Sequence, residues 1–218
     1  MSLTLIVGNK NYSSWSLRPW LLMKHAGLEF REVVVPLYRP GDAEEVLKYS
    51  PTGKVPALID GDLHIWDSIA ICEYIAEKTG FGWPKQPAAR AHARSVSAEM
   101  HSGFQDLRGQ CPMNARARKR VPHTPELARD IERIEEIWQE CRERHAAAGP
   151  WLFGTFSIAD AMYAPVALRF NTYGAEVSAV AAAYLKTMMA DRHVLDWVRA
   201  GQAEPWVLES TEAVGVPA

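Results

Sequence analysis

Two stretches of this sequence carry residue types that can do chemistry together. The denser one runs from Ser50 to Ser68, SPTGKVPALIDGDLHIWDS. It reads as a loop, a strand led by Pro56, a hairpin at Asp60-Gly61, a second strand over Leu63 to Trp66, and an acid–hydroxyl pair, Asp67-Ser68, opening a helix. Asp-Gly is a favoured dipeptide for a two-residue hairpin turn. Pro56 has no amide proton, so it must head the strand or lie on an edge. Following Val55 in a loop, it is also a candidate cis peptide. Such a block suits a small peptide ligand, with Val55 offering backbone bonds, Asp67 a charge and Ser68 a hydroxyl. The other stretch is Tyr12-Ser13-Ser14-Trp15-Ser16-Leu17-Arg18-Pro19. Proline is tolerated only in a helix's first turn. The helix should therefore start near Trp15 or Ser16, leaving Ser13 and Ser14 just ahead of its positive end.

The elements that must position these residues follow from spacing. Leu3 to Val7 is a short apolar run suited to a buried strand, and Phe30 to Val35 is a second. The helix between them ends at Gly27 and implies a parallel pair with a right-handed crossover. A short helix over Ala43 to Lys48, the hairpin, and a helix over Ser68 to Lys78 complete a βαβαββα order. Residues 1–80 then form one domain, and the glycine- and proline-rich residues 81–87 a linker. Residues 88–218 read as all-helical, with no convincing strand before the chain's end. Ala88 to Gln110 reads as one helix, with Met100, Phe104, Leu107 and Cys111 on one stripe. Thr124-Pro125-Glu126 is a helix start, and Leu127 to Cys141 an amphipathic helix. Ser157-Ile158-Ala159-Asp160 resembles a capping box ahead of Ala161 to Phe170. Ala175 to Met189 and Val194 to Ala200 give two more helices, and Trp206 to Ala218 a loosely held tail.

Composition limits the classes of function. The chain of 218 residues can bury a full core, and its net charge of −2 gives no bulk attraction for nucleic acid or an anionic membrane. The basic run Arg116 to Arg120 reads as a solvated interhelical face. Three widely spaced cysteines form no disulfide framework, and the seven histidines show no metal-ligand spacing. No apolar run approaches membrane-spanning length, and there is no leader-like N-terminus. A cytoplasmic protein without metal, nucleic-acid partner or membrane contact is expected.

The architecture, with Val55-Pro56 and Asp67-Ser68, resembles the soluble glutathione transferase family. The resemblance covers essentially the whole chain and includes Ser157 to Asp160, which matches the family's capping motif. It implies a thioredoxin-like βαβαββα domain that binds glutathione and an all-α domain that completes the electrophile site. Ser13 to Arg18 looks like the Ser-Ser-Cys-Ser-x-Arg signature of the zeta class, with Trp15 where that class carries cysteine. A bacterial-type serine class with a zeta-like N-terminal motif is the reading this supports.

The implied reaction is attack of the glutathione thiolate on a small hydrophobic electrophile, forming a thioether, as in detoxification. A free thiol has a pKa of about 8.5, and lowering it by about two units needs roughly 2.7 kcal/mol of preferential stabilisation of the anion. A serine hydroxyl at a helix N-terminus is a plausible source. Ser13 is the first choice and Ser14 the second, with the Tyr12 hydroxyl a third option; plain helix capping is the structural alternative for the serines. Asp67 and Ser68 would receive the ammonium and carboxylate of the glutamyl end, a role compatible with capping their helix. Val55 would pair with the cysteinyl portion as an added strand does. Lys54 and Arg39 are candidates for the glycyl carboxylate, although such residues are usually just solvated. Tyr12, Trp15, Met100, Phe104 and Arg108 are candidates for the second-substrate pocket, where a stripe of this spacing is more often core. Arg108 would favour an acidic electrophile. The family usually forms homodimers. Two alternatives remain: a glutathione-dependent zeta-type isomerase acting on a maleylacetoacetate-like substrate, and a non-catalytic glutathione-binding or regulatory protein of the same fold.

Overall fold

The computed structural model describes residues 3–218. The apolar run β1 (Leu3–Val7) leads into α1 (Ser14–His25) and returns as β2 (Phe30–Val34), parallel to β1 from Leu3↔Phe30 to Val7↔Val34. A short α2 (Asp42–Leu47) precedes the hairpin of β3 (Ala57–Asp60) and β4 (Leu63–Trp66), and α3 (Ser68–Thr79) follows. β3 runs antiparallel to β1 and to β4, giving the mixed sheet order β2-β1-β3-β4. This is the βαβαββα order that the spacing predicts, and it fits the thioredoxin-like domain that the resemblance implies. Alternation in β1 then divides the core, because successive side chains of a strand face opposite ways. Leu3, Leu5, Val7 and Leu58 face α1 and α3 in the main core, while Ile6 and Ala57 pack with Val35 and Val46 on the other face.

The remainder is helical apart from one short strand pair. It comprises α4 (Pro87–Ser102), α5 (Gln105–Gln110), β5 (Lys119–Arg120), α6 (Pro125–His145), α7 (Ile158–Tyr173), α8 (Ala179–Ala190), α9 (Arg192–Ala203), α10 (Glu209–Glu212) and β6 (Val216–Pro217). The spine is α7, buried almost throughout and packed against α1, α4 and α8. Its start is the capping box read from the sequence. The Asp160 carboxylate accepts from the Ser157 amide and hydroxyl, both at 2.8 Å, from the Leu152 amide at 2.9 Å and from the Tyr184 hydroxyl at 3.1 Å.

The structure corrects four expectations. First, α1 begins at Ser14, so Pro19 sits in its second turn and withholds an amide from the Trp15 carbonyl. Second, the single helix over Ala88 to Gln110 is two, because Phe104 takes a left-handed backbone, φ 60° and ψ 46°. At the break, a Cβ on Gly103 would stand 2.9 Å from the Glu99 carbonyl oxygen, so glycine is required there. Third, the tail after Trp206 is seated rather than loose. Arg116 donates to the Trp206 carbonyl at 3.0 Å, Lys119 to the Glu212 carbonyl, and β6 pairs antiparallel with β5. Fourth, it follows that part of the Arg116 to Arg120 run holds the tail instead of forming a wholly solvated face.

The helical half also clamps the loop between β1 and α1. Glu204 accepts the Lys10 and Asn11 amides at 2.7 and 3.1 Å, and the Trp197 indole donates to the Lys10 carbonyl at 2.8 Å. The Asn11 side chain donates to Asn114 at 2.9 Å and accepts the Arg116 amide at 2.9 Å. Gly201 lets α9 approach: a Cβ there would come 2.9 Å from the Asn11 nitrogen.

Candidate functional site

The clamped loop delivers Tyr12, Ser13 and Ser14 to the wall of a cleft. Ser13 is the N-cap residue of α1, yet its hydroxyl caps nothing; it donates to Ser16 Oγ at 2.8 Å, which in turn accepts the Gly8 amide at 3.1 Å. Ser14 opens the helix, and its hydroxyl has no hydrogen-bond partner among the described residues. Both serines are nearly buried and line a cavity of about 530 Å³ with Trp15, Lys54, Val55, Arg108 and Arg169. A hydroxyl here sits where the helix's unpaired amides favour an anion. Tyr12 shares this wall, but its hydroxyl is engaged: it donates to Glu212 at 2.7 Å and accepts the Leu208 amide at 3.2 Å.

A second cavity of about 350 Å³ shares Trp15, Lys54 and Val55 with the first and adds Pro56, Trp66, Asp67 and Ser68. The Val55–Pro56 peptide is cis. Val55 lies just ahead of β3, and no hydrogen bond among the described residues takes its amide or carbonyl. Asp67 stands between β4 and α3 with φ 73° and ψ 135°, a region costly for any residue but glycine. Its own side chain holds it there, with Oδ1 accepting the Ile69 and Ala70 amides at 2.8 and 3.3 Å. That leaves Oδ2 facing the cleft, 3.2 Å from His101 Nε2. Burial lowers the His101 pKa against the pull of Asp67, and the charges of Arg18 and Arg108 lower it further. Ser68 is buried, and its hydroxyl accepts weakly from Arg18 at 3.4 Å.

Trp15 lines both cavities, and two guanidiniums stand over its ring, Arg18 at 4.2 Å and Arg108 at 4.8 Å, with His101 edge-on at 5.2 Å. Cations over an indole face are favourable. The break after α4 is what aims Arg108. Its Nη2 donates to the Met100 and His101 carbonyls at the end of α4, turning the rest of the group to the cavity.

Other proposed site residues stand elsewhere. Met100 and Phe104 are buried in the main core and line neither cavity. Arg39 is exposed and lines neither cavity, but borders an adjoining cleft with residues 205–208 that shares Asn9, Leu37 and Tyr38 with the larger one. Sequence reasoning passed over Arg169 and His101, and left Arg18 without a role. A lone arginine in the apolar stretch from Ala161 to Phe170 was a signal for the first; nothing local marked His101.

The cysteines offer no nucleophile. All three are buried and free, with burial pushing the Cys111 thiol up to about 11, Cys141 to about 12 and Cys72 higher. Among the described residues no group of His, Cys, Asp and Glu could hold a metal ion, and no helix is long and apolar enough to cross a membrane.

Comparison with known proteins gives two family matches. Residues 12–78 match the glutathione S-transferase N-terminal domain and residues 124–200 the glutathione S-transferase C-terminal domain, together about two thirds of the chain. A zeta-class glutathione S-transferase of Euphorbia esula is 29% identical over 160 residues, 69% of this chain and 66% of that protein. A probable maleylacetoacetate isomerase of Caenorhabditis elegans is 35% identical over 97 residues, 43% of this chain and 44% of its own length. The chain thus spans less than two thirds of these curated relatives. Among solved structures, a glutathione transferase homolog from Burkholderia gl BGR1 with bound glutathione superposes with a TM-score of 0.72. It is 24% identical, and the match covers 94% of this chain and 100% of that one.

Proposed function

The chain belongs to the soluble glutathione S-transferase family, and we propose that it activates the glutathione thiolate for attack on small hydrophobic electrophiles. The observation that carries this reading is the convergence on one cleft of Ser13 and Ser14 at the positive end of α1 with Val55, Asp67 and Ser68. Asp67 pairs with the glutamyl ammonium, the Ser68 hydroxyl and backbone N–H receive the glutamyl carboxylate at the positive end of α3, and the free backbone groups of Val55 take the cysteinyl portion. Lys54, exposed at the shared rim, is the candidate for the glycyl carboxylate. Residues 1–80 form the glutathione-binding domain, and residues 88–218 complete the electrophile site.

The thiol then lies where a serine hydroxyl and the α1 dipole favour its anion. Its proton passes to solvent, sulfur attacks the electrophilic carbon, the C–S bond forms, and the leaving group departs with its electron pair. Ser14 can donate without disturbing any bond, whereas Ser13 must exchange its bond to Ser16.

Asp67→Asn is expected to raise the dissociation constant for glutathione about tenfold. That is the lower range for losing a charge-assisted bond, since the carboxylate is partly exposed. The asparagine oxygen still caps α3, so the thermal midpoint should move by no more than about 2 °C. Calorimetric titration checks the first value and thermal denaturation the second.

The zeta-like run Ser13 to Arg18 and the zeta-class relative favour one second reading, a glutathione-dependent isomerase. Stoichiometry separates the two. Consumption of glutathione in step with thioether supports the transferase; turnover of a maleylacetoacetate-type substrate with glutathione regenerated supports the isomerase.

A further inference from the structure

We propose that Arg108 and Arg169 form a subsite for an anionic group, carboxylate in type, on the second substrate. The inference rests on reading the cavity beside Ser13 and Ser14 as the place where that substrate meets the thiolate. Three arginines distant in sequence, Arg18, Arg108 and Arg169, gather around this cavity and its Trp15 wall, and among the described residues none has a carboxylate within ion-pair distance. Buried guanidiniums normally have such partners, because an unpaired buried charge is costly.

Their existing bonds leave donors free. Arg169, 5% exposed, gives only Nε to the protein, to the Cys111 carbonyl at 2.9 Å. Arg108 gives only Nη2, to the end of α4, so its Nε and Nη1 have no partner among the described residues. Arg18, 1% exposed beneath Trp15, has a buried Nε with no partner among the described residues and one weak bond to Ser68. Of the nearby carboxylates, Asp130 accepts the Leu107 amide at 2.9 Å and Asp42 the Tyr38 amide at 2.5 Å, while Asp67 caps α3 through Oδ1 and turns Oδ2 to His101 and the glutamyl end of the cleft. Lys54 adds a further cation at the rim.

The crowding leaves a mark on the arginines themselves. Burial first and then the neighbouring guanidiniums lower Arg18 to about 9 and Arg169 to about 10, and burial lowers Arg108. An anion placed among them reverses that penalty. A planar carboxylate matches the guanidinium fork, so it gains directional hydrogen bonds as well as charge. The glycyl carboxylate of glutathione has the same chemistry, and the test must separate the two sources.

The experiment titrates wild-type protein with S-(4-carboxybenzyl)glutathione, its neutral 4-carbamoylbenzyl counterpart, glutathione, and the glycyl ethyl ester of glutathione. The carboxylate conjugate is expected to bind at least tenfold more tightly than the carbamoyl conjugate. That ratio should fall below threefold in Arg108→Gln and be largely kept in Arg108→Lys, which separates lost charge from lost packing. Equal binding of the conjugates to wild type, or a ratio unchanged in Arg108→Gln, overturns the subsite. So does a result in which Arg108→Gln weakens glutathione but not its glycyl ester, since the anion held would then be the glycyl carboxylate. If neither conjugate nor glutathione binds wild type, the transferase reading itself fails and the subsite fails with it.

Discussion

Replacing Asp160 with alanine is expected to destabilise the protein by about 4 kcal/mol and to lower its thermal midpoint by roughly 8–16 °C. The carboxylate is wholly buried and is the common acceptor for two amides and two hydroxyls, from Leu152, Ser157 and Tyr184. Alanine leaves those donors in a dry interior with nothing to receive them. The loss falls at the start of α7, on which α1, α4 and α8 all pack, so it spreads to both halves of the molecule. The pH dependence has a definite sign. Burial raises the Asp160 pKa to about 6 from 3.8, with its four donors opposing the rise. A folded-state pKa above the unfolded one gives a contribution fully present below about pH 4 and lost as pH rises through about 6. The deficit of Asp160→Ala relative to wild type should therefore narrow over that window. Thermal and urea denaturation from pH 4 to 7 checks both points; a midpoint change under about 3 °C at neutral pH would contradict the first.

Much of the fold was legible because the signals were local. Leu3 to Val7, Thr124-Pro125 and Ser157 to Asp160 each mark an element by types within a few residues, and each element is present; the hairpin is present one residue later than Asp60-Gly61 suggests, because Asp60 pairs with Leu63 and the two-residue turn is Gly61-Asp62. The break at Gly103-Phe104 was hidden because the apolar stripe runs on across it; Phe104 stays in the core while its backbone turns left-handed. The tail was misread for the opposite reason. Trp206 to Ala218 has little apolar periodicity, and what holds it is long-range polar bonding to Tyr12, Arg116 and Lys119.

The candidate site divided along the same line. Val55, Asp67 and Ser68 could be placed together because one short hairpin joins them. Ser13 and Ser14 needed only the helix start. The arginine cluster was out of reach, since Arg18, Arg108 and Arg169 come from three helices and meet only after the halves pack. Periodicity places a residue on a face of its own helix. It does not say which distant faces will share a wall.

The second large effect concerns the sulfur. If the hydroxyls at the start of α1 and the helix dipole lower the bound thiol by about two units, removing both hydroxyls should return most of a stabilisation of roughly 2.7 kcal/mol. The double variant Ser13→Ala/Ser14→Ala is then expected to lose roughly twentyfold in kcat/KM near pH 7, the fall in thiolate fraction when the bound thiol returns toward a pKa of about 8.5, while still binding glutathione through Val55, Asp67 and Ser68. Binding and activation lie on different elements, so the two quantities should separate. The direct measurement is the ultraviolet thiolate absorbance of bound glutathione, titrated against pH in wild type, Ser13→Ala, Ser14→Ala and the double variant. The account predicts a wild-type pKa about two units below the free thiol, a rise of at least one unit in one single variant, and a near-complete return in the double. A bound thiol whose pKa is the same in all four proteins would contradict it.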